Sequence, residues 1–181
     1  GEIVFNGGAL GFGKTASLGS QAGLTLTLAK GGATLQTDTV LSLEGAFTPT
    51  ADAGPVVKRG SGGLYVKASQ TYTSPTILEE GSVRLYDGVS LASAVTNRAA
   101  FFALVDGKAG STAAVRGLAM EAGTLVLEAS ADGKTVDRLT VDGPVTGTFA
   151  VQIRLVDYTV PDWRGHTFDV LAYTGDAPDV T

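Results

Sequence analysis

Three groups of residues in this 181-residue chain have types and spacings that could do chemistry. The first is Gly8-Ala9-Leu10-Gly11-Phe12-Gly13-Lys14-Thr15, which satisfies G-x-x-x-x-G-K-[ST], a loop whose amides cradle phosphates. Phe101–Asp106 even offers an apolar run ending in a carboxylate of the kind that holds magnesium. A phosphate loop, however, must open a helix whose N-terminus faces the anion. Ala16–Leu28 carries Gly19, Gly23 and strand-like alternation instead. In a chain with 25 glycines the match arises easily by chance, so the stretch reads as a turn.

The second group is the carboxylates Asp132, Asp137, Asp142, Asp157, Asp162 and Asp169. Paired carboxylates on one exposed face could cleave glycosidic bonds. Asp137 and Asp142 are five apart, which on a regular strand sends them to opposite faces. Solvated turn carboxylates are the expectation. Asp176 and Asp179 lack the spacing of a calcium loop. His166, the single histidine, has no Ser, Cys or metal-ligand pattern around it and reads as a loop residue. The third group is Tyr158, Trp163 and Arg164 in the loop Asp157–Gly165. Such a set stacks on sugars or anchors a partner; equally, the Trp could cover an open end of stacked strands. We therefore expect no catalytic residue, no cofactor, no metal and no enzyme activity.

The elements that must position these residues are strands. Gly23–Ala29 alternates cleanly, with Leu24, Leu26 and Leu28 on one face. Thr124–Ala129, Val136–Val141, Thr148–Val156 and Thr167–Tyr173 follow the same habit between glycine turns. Leu91–Val105 is long enough for a helix, but Val95, Phe102 and Leu104 make no 3.6-residue stripe and caps are missing, so strands are expected there. Ala46–Pro55 reads as a polar loop. Net charge is −5 with no basic stripe, which argues against a nucleic-acid partner. Cysteine is absent, so disulfides and thiolate chemistry are excluded. No apolar run is long enough to span a bilayer as a helix. Charged residues are only 17% of the chain, leaving Thr, Ser, Gly and Ala to cover much of the exterior. The start at Gly1 is read as that of a mature or trimmed segment.

One stretch, Val57–Leu85, organises the rest. Lys58-x-Gly60-x-Gly62-x-Leu64-x-Val66 is followed by Thr71-Tyr72-Thr73, Thr76-x-Leu78 and Gly81-x-Val83-x-Leu85. These residues resemble the autotransporter-associated β-strand repeat, with Gln70 where Asn is usual and Ser74-Pro75 in place of Gly-Gly. Gly31–Gly45 is similar to the preceding rung of such regions, and Asp137–Gly143 and Phe168–Gly175 to segments near their C-terminal end. The resemblance implies an all-β, single-stranded right-handed parallel β-helix over residues 1–175, of eight or nine rungs, with 176–181 a tail or linker. An antiparallel β-sandwich is the alternative. It further implies an exported bacterial protein, extracellular or on the cell surface. Its expected role is structural or adhesive, and it would self-assemble or bind matrix components. A polysaccharide-binding or polysaccharide-degrading β-helix is the other reading. Stackable rungs fit the physics, because one rung cannot bury its own apolar face.

Overall fold

The computed structural model describes residues 1–156 and 167–174. Every regular element among them is a strand. The chain winds as successive coils. The first coil holds β1 (Glu2–Phe5), β2 (Ala9–Phe12) and β3 (Ala16–Leu18). The second holds β4 (Thr25–Leu28), β5 (Ala33–Thr37) and β6 (Val40–Leu43), and the third β7 (Phe47–Pro49), β8 (Val56–Arg59) and β9 (Gly63–Val66). Shorter coils follow: β10 (Thr76–Leu78) with β11 (Ser82–Leu85), then β12 (Val89–Asn97) with β13 (Phe101–Leu104). The last described strands are β14 (Thr112–Met120), β15 (Thr124–Ala129), β16 (Arg138–Val141), β17 (Val145–Gly147), β18 (Ala150–Leu155) and β19 (Leu171–Tyr173).

Like strands of successive coils pair. A short first sheet contains β1, β4 and β7. A second runs β2-β5-β8-β10-β12-β14-β16-β19, with β17 also on β14, and a third runs β3-β6-β9-β11-β13-β15-β18. Every ladder is parallel, and the antiparallel pairing among the described residues is one isolated bridge, Ala129 to Val136. The molecule is therefore a parallel β-solenoid and not a sandwich. Its described residues make about seven turns, fewer than the eight or nine that the resemblance implied. The reason is coil length. Leu64 pairs with Val83 and Val83 with Phe102, steps of 19 residues. Ala16 to Leu41 is a step of 25, and Leu125 to Val151 one of 26.

Alternation places the core. Leu41, Leu64, Val83, Phe102 and Leu125 stack in register along the inner side of the third sheet, all at most 4% exposed. Burying side chains of this size stabilises by about 1.5–3 kcal/mol each. Phe47 lies between Phe5 and Tyr72 in edge-to-face contacts, with ring centroids 5.2 and 6.0 Å apart. Thus Ala46–Pro55, expected to be a polar loop, contributes β7 and a fully buried ring. Leu91–Val105 holds strands and no helix, as alternation required: it runs through β12, a bend at Arg98–Ala100 and β13, with a register shift between Leu91 and Ala94. The phosphate-loop pattern lies on β2 and the turn after it, and strand β3, not a helix, follows it.

Candidate binding face

The repeat-like residues resolve into a core and its corners. Leu64, Val66, Leu78, Val83 and Leu85 all point inward and are buried. Lys58 does so too, and is 1% exposed, between Leu35 and Leu78 on neighbouring strands. An ammonium there needs three acceptors. Its Nζ donates to the carbonyls of Arg59 (2.8 Å), Gly60 (2.7 Å) and Glu80 (3.2 Å). Burial lowers its pKa to about 8 against the attraction of Glu80 and Asp38. The same corner needs glycine twice. Gly60 has φ 81°, and a Cβ on Gly62 would overlap the backbone of Thr39. Gly81, at the equivalent bend one coil on, has φ 72°.

Tyr72, Thr76 and Ser93 form a buried hydroxyl chain, with Tyr72 Oη 2.9 Å from Thr76 Oγ1 and the latter 2.7 Å from Ser93 Oγ. Burial pushes the Tyr72 phenol up to about 12. Thr71 and Thr73 flank this chain and are exposed. Gln70, the departure from the repeat pattern, is 2% exposed and ties three coils together. It accepts from the Phe47 amide (2.9 Å) and donates to Ala68 (2.8 Å) and Gly45 (3.2 Å), while its backbone pairs with Ser90 and Ala92. At Ser74-Pro75, Ser74 Oγ donates to the Gly54 carbonyl (2.7 Å), and Pro75 offers its carbonyl to the Val56 amide (3.0 Å). The motif residues thus hold the coil and leave nothing reactive exposed.

The acidic residues divide. Asp132, Asp142 and Asp169 are exposed, as expected. Asp137 is fully buried, contrary to the solvated-turn expectation. Its carboxylate accepts from the amides of Ser111 (2.9 Å) and Glu128 (2.7 Å). Glu128, 4% exposed, accepts in turn from the amides of Asp106 (3.0 Å) and Gly107 (2.6 Å). Burial raises the Asp137 carboxyl to about 6, with Glu128 adding to the effect and backbone amides opposing it. These two carboxylates are committed to main-chain donors, and no group of three or more metal-ligating side chains occurs among the described residues.

The outer side of the third sheet is where ligand-like chemistry gathers. Arg84, Ala103, Val126 and Gln152 are in register on β11, β13, β15 and β18. Long side chains at both ends of this row and short ones between make a groove of about 320 Å³. Ala103, Val105 and Val126 form its floor, a small apolar cluster separate from the interior core. Phe101, 52% exposed, and Ser82 stand at one end, and Arg154 joins Gln152 on the far wall. Beside the groove Arg84 lies over the Tyr65 ring at 4.7 Å, Tyr65 meets Tyr86 at 6.2 Å, and Lys67 sits 5.5 Å from the Tyr86 centroid. Lys67 also pairs with Glu44 at 3.2 Å. Sequence reasoning passed over this face. The signal was present in Phe101-Phe102-Ala103-Leu104-Val105, where both alternating sets are apolar, so one of them must face outward. Tyr158, Trp163, Arg164 and His166, by contrast, lie outside the described residues. No protein-family model, curated protein or solved structure matches this chain.

Proposed function

We propose that this chain is a structural and adhesive β-solenoid: a segment of an exported bacterial surface protein that extends by stacking and presents a side-chain surface to the outside. The observation that carries the stacking half is on β18. Val151 and Leu155 continue the inner rows of Leu125 and Ala129, both fully buried, yet are 40% and 38% exposed. Among the described residues β18 pairs only with β15. Apolar side chains and an unpaired parallel edge together form a template for another coil. Self-association into rods, a sheath or a surface layer supplies that coil. The adhesive half, and the extracellular location that goes with it, rest on the resemblance of Lys58–Leu85 and on the low charge of the faces.

Negative-stain imaging with light scattering tests the stacking. Rods or polymers lengthening with protein concentration are expected, and Val151→Lys with Leu155→Lys should return them to single particles. A strictly monomeric, compact particle at every concentration overturns it. A second reading, a polysaccharide-binding protein on the same scaffold, is favoured by one observation, the groove on the third sheet.

A further inference from the structure

We infer that the groove between Arg84 and Arg154 is a binding site for an anionic saccharide, one whose sugar ring carries a carboxylate. Three observations converge on this. The first is shape. Small-ligand sites occupy roughly 300–1,000 Å³ with an apolar lining and few polar groups, and this groove falls at the lower end of that range. Strands about 4.8 Å apart place Arg84 and Gln152 about 14 Å from each other across the floor, room for one or two sugar rings. The second is charge. The chain carries −5 overall, yet the groove lining holds two arginines and no carboxylate. Neither Arg84 nor Arg154 makes an ion pair among the described residues, whereas Arg59 and Arg98 do. A guanidinium with no carboxylate partner, beside an apolar floor, is suited to a carboxylate, and Arg84, stacked on Tyr65, is held in place for one. Glu128 is the in-register neighbour of Arg154, but its carboxylate is held by the Asp106 and Gly107 amides. Glu79 and Glu80 line a separate cleft on the other side of Phe101, and Glu79 is neutralised by Arg59 and Arg98. That cleft ends the site for an anion.

The third observation selects the ligand class. β13 and β15 are paired on both sides, so the floor's main-chain groups are already used. An acidic peptide bound by strand addition would need free main-chain partners. The one unpaired strand edge nearby among the described residues, that of β18, lies beyond Gln152 and Arg154 and not over the floor. Within the groove the contacts fall to side chains: the half-exposed Phe101 ring for the apolar face of a sugar, Gln152 and Ser82 for hydroxyls, and arginines for the carboxylate.

This extends the adhesive half of the reading above and does not depend on stacking. The test is calorimetric titration of the full chain with a galacturonate trisaccharide, a sulfated trisaccharide and a neutral trisaccharide of equal length. Arg84→Gln, Arg154→Gln and Phe101→Ala are titrated alongside, with circular dichroism to verify the fold. The carboxylated sugar should bind at least about tenfold more tightly than the neutral one. That preference should shrink in high salt and disappear in either arginine variant, while Phe101→Ala should weaken acidic and neutral sugars alike. Equal binding of neutral and acidic sugars, preference for the sulfated one, unaltered binding in Arg154→Gln, or no binding of the carboxylated sugar at millimolar concentration each overturns it. Images of the same samples separate the two ideas: rods without sugar binding sink only this inference, and sugar binding by monomers sinks only the stacking.

Discussion

Two corners of the solenoid face the same physical problem with opposite charges. At the bend between the second and third sheets, the carbonyls of Arg59, Gly60 and Glu80 turn inward, and Lys58 fills the space with three donors. At the bend leaving the third sheet, the amides of Ser111, Glu128, Asp106 and Gly107 are the groups that burial leaves in need of partners, and Asp137 and Glu128 supply acceptors. Buried main-chain groups must find partners. A coil that turns sharply buries either donors or acceptors at its bend, and the buried side chain takes the charge those groups require. Neutral side chains do the same work elsewhere: Asn97 closes the next corner by donating to the Ala100 carbonyl (2.8 Å) and accepting from its amide (2.9 Å). The charges in these corners are therefore solutions to backbone geometry, whereas Arg84 and Arg154 on the outer face of the third sheet have no such task.

The severest way to break the comparison is Lys58→Met. It keeps the apolar stem of the side chain but leaves one buried and two half-buried carbonyls without this donor, and should cost about 3–5 kcal/mol in chemical denaturation. An unchanged midpoint would mean that those carbonyls find other partners. Gly62→Ala comes next. Its methyl group would meet the Thr39 backbone, and a shift of strand β6 against β9 should cost about 1–3 kcal/mol, read as a lower unfolding midpoint with the same slope.

The two corners should also differ in sign with pH. Asp137 is raised from its ordinary 3.8 to about 6. Between those values the folded chain holds a proton that the unfolded chain has released, so this group's stabilisation is complete below about pH 4 and lost as pH rises through 6. Lys58 is lowered from 10.5 to about 8. Over that interval the unfolded chain binds the extra proton, so stability rises as pH increases from about 8 to 10.5. Unfolding midpoints measured across both windows should slope down in the first and up in the second. Asp137→Asn should flatten only the first and Lys58→Met only the second, with effects of order 1–3 kcal/mol. A slope that survives its variant assigns the titration to another group. The smallest effect belongs to Lys67→Ala. It removes a half-exposed pair with Glu44 and a contact to Tyr86, and should change stability by less than about 1 kcal/mol while marking the outer face as distinct from the corners.

The solenoid was legible because alternation and glycine spacing are local and repeat. Leu64, Val66, Val83 and Leu85 could be assigned to one face from their neighbours alone, and all four are core. Coil number was not legible, since coil length varies: the coils around Val83 advance by 19 residues, while the longer ones carry extra strands such as β7 or the excursion from Ser130 to Asp137. Asp137 was misread as solvated because its burial depends on amides at Ser111, 26 positions away, and at Glu128. The groove escaped notice for a related reason. Arg84, Ala103, Val126 and Gln152 share no spacing along the chain, and become neighbours only when four coils stack in register.

By itself, then, the sequence determined that strands form, where glycine lets them bend, which alternate residues turn inward, and that Lys58–Leu85 repeats a stackable pattern. Those properties follow from side-chain period and backbone freedom, which act over a few residues. The tertiary structure decided coil length, the sign of charge at each corner, and which outer side chains meet across the third sheet. These depend on register between strands 19 to 26 residues apart, and register is settled by packing of the whole stack, not by any one turn of it.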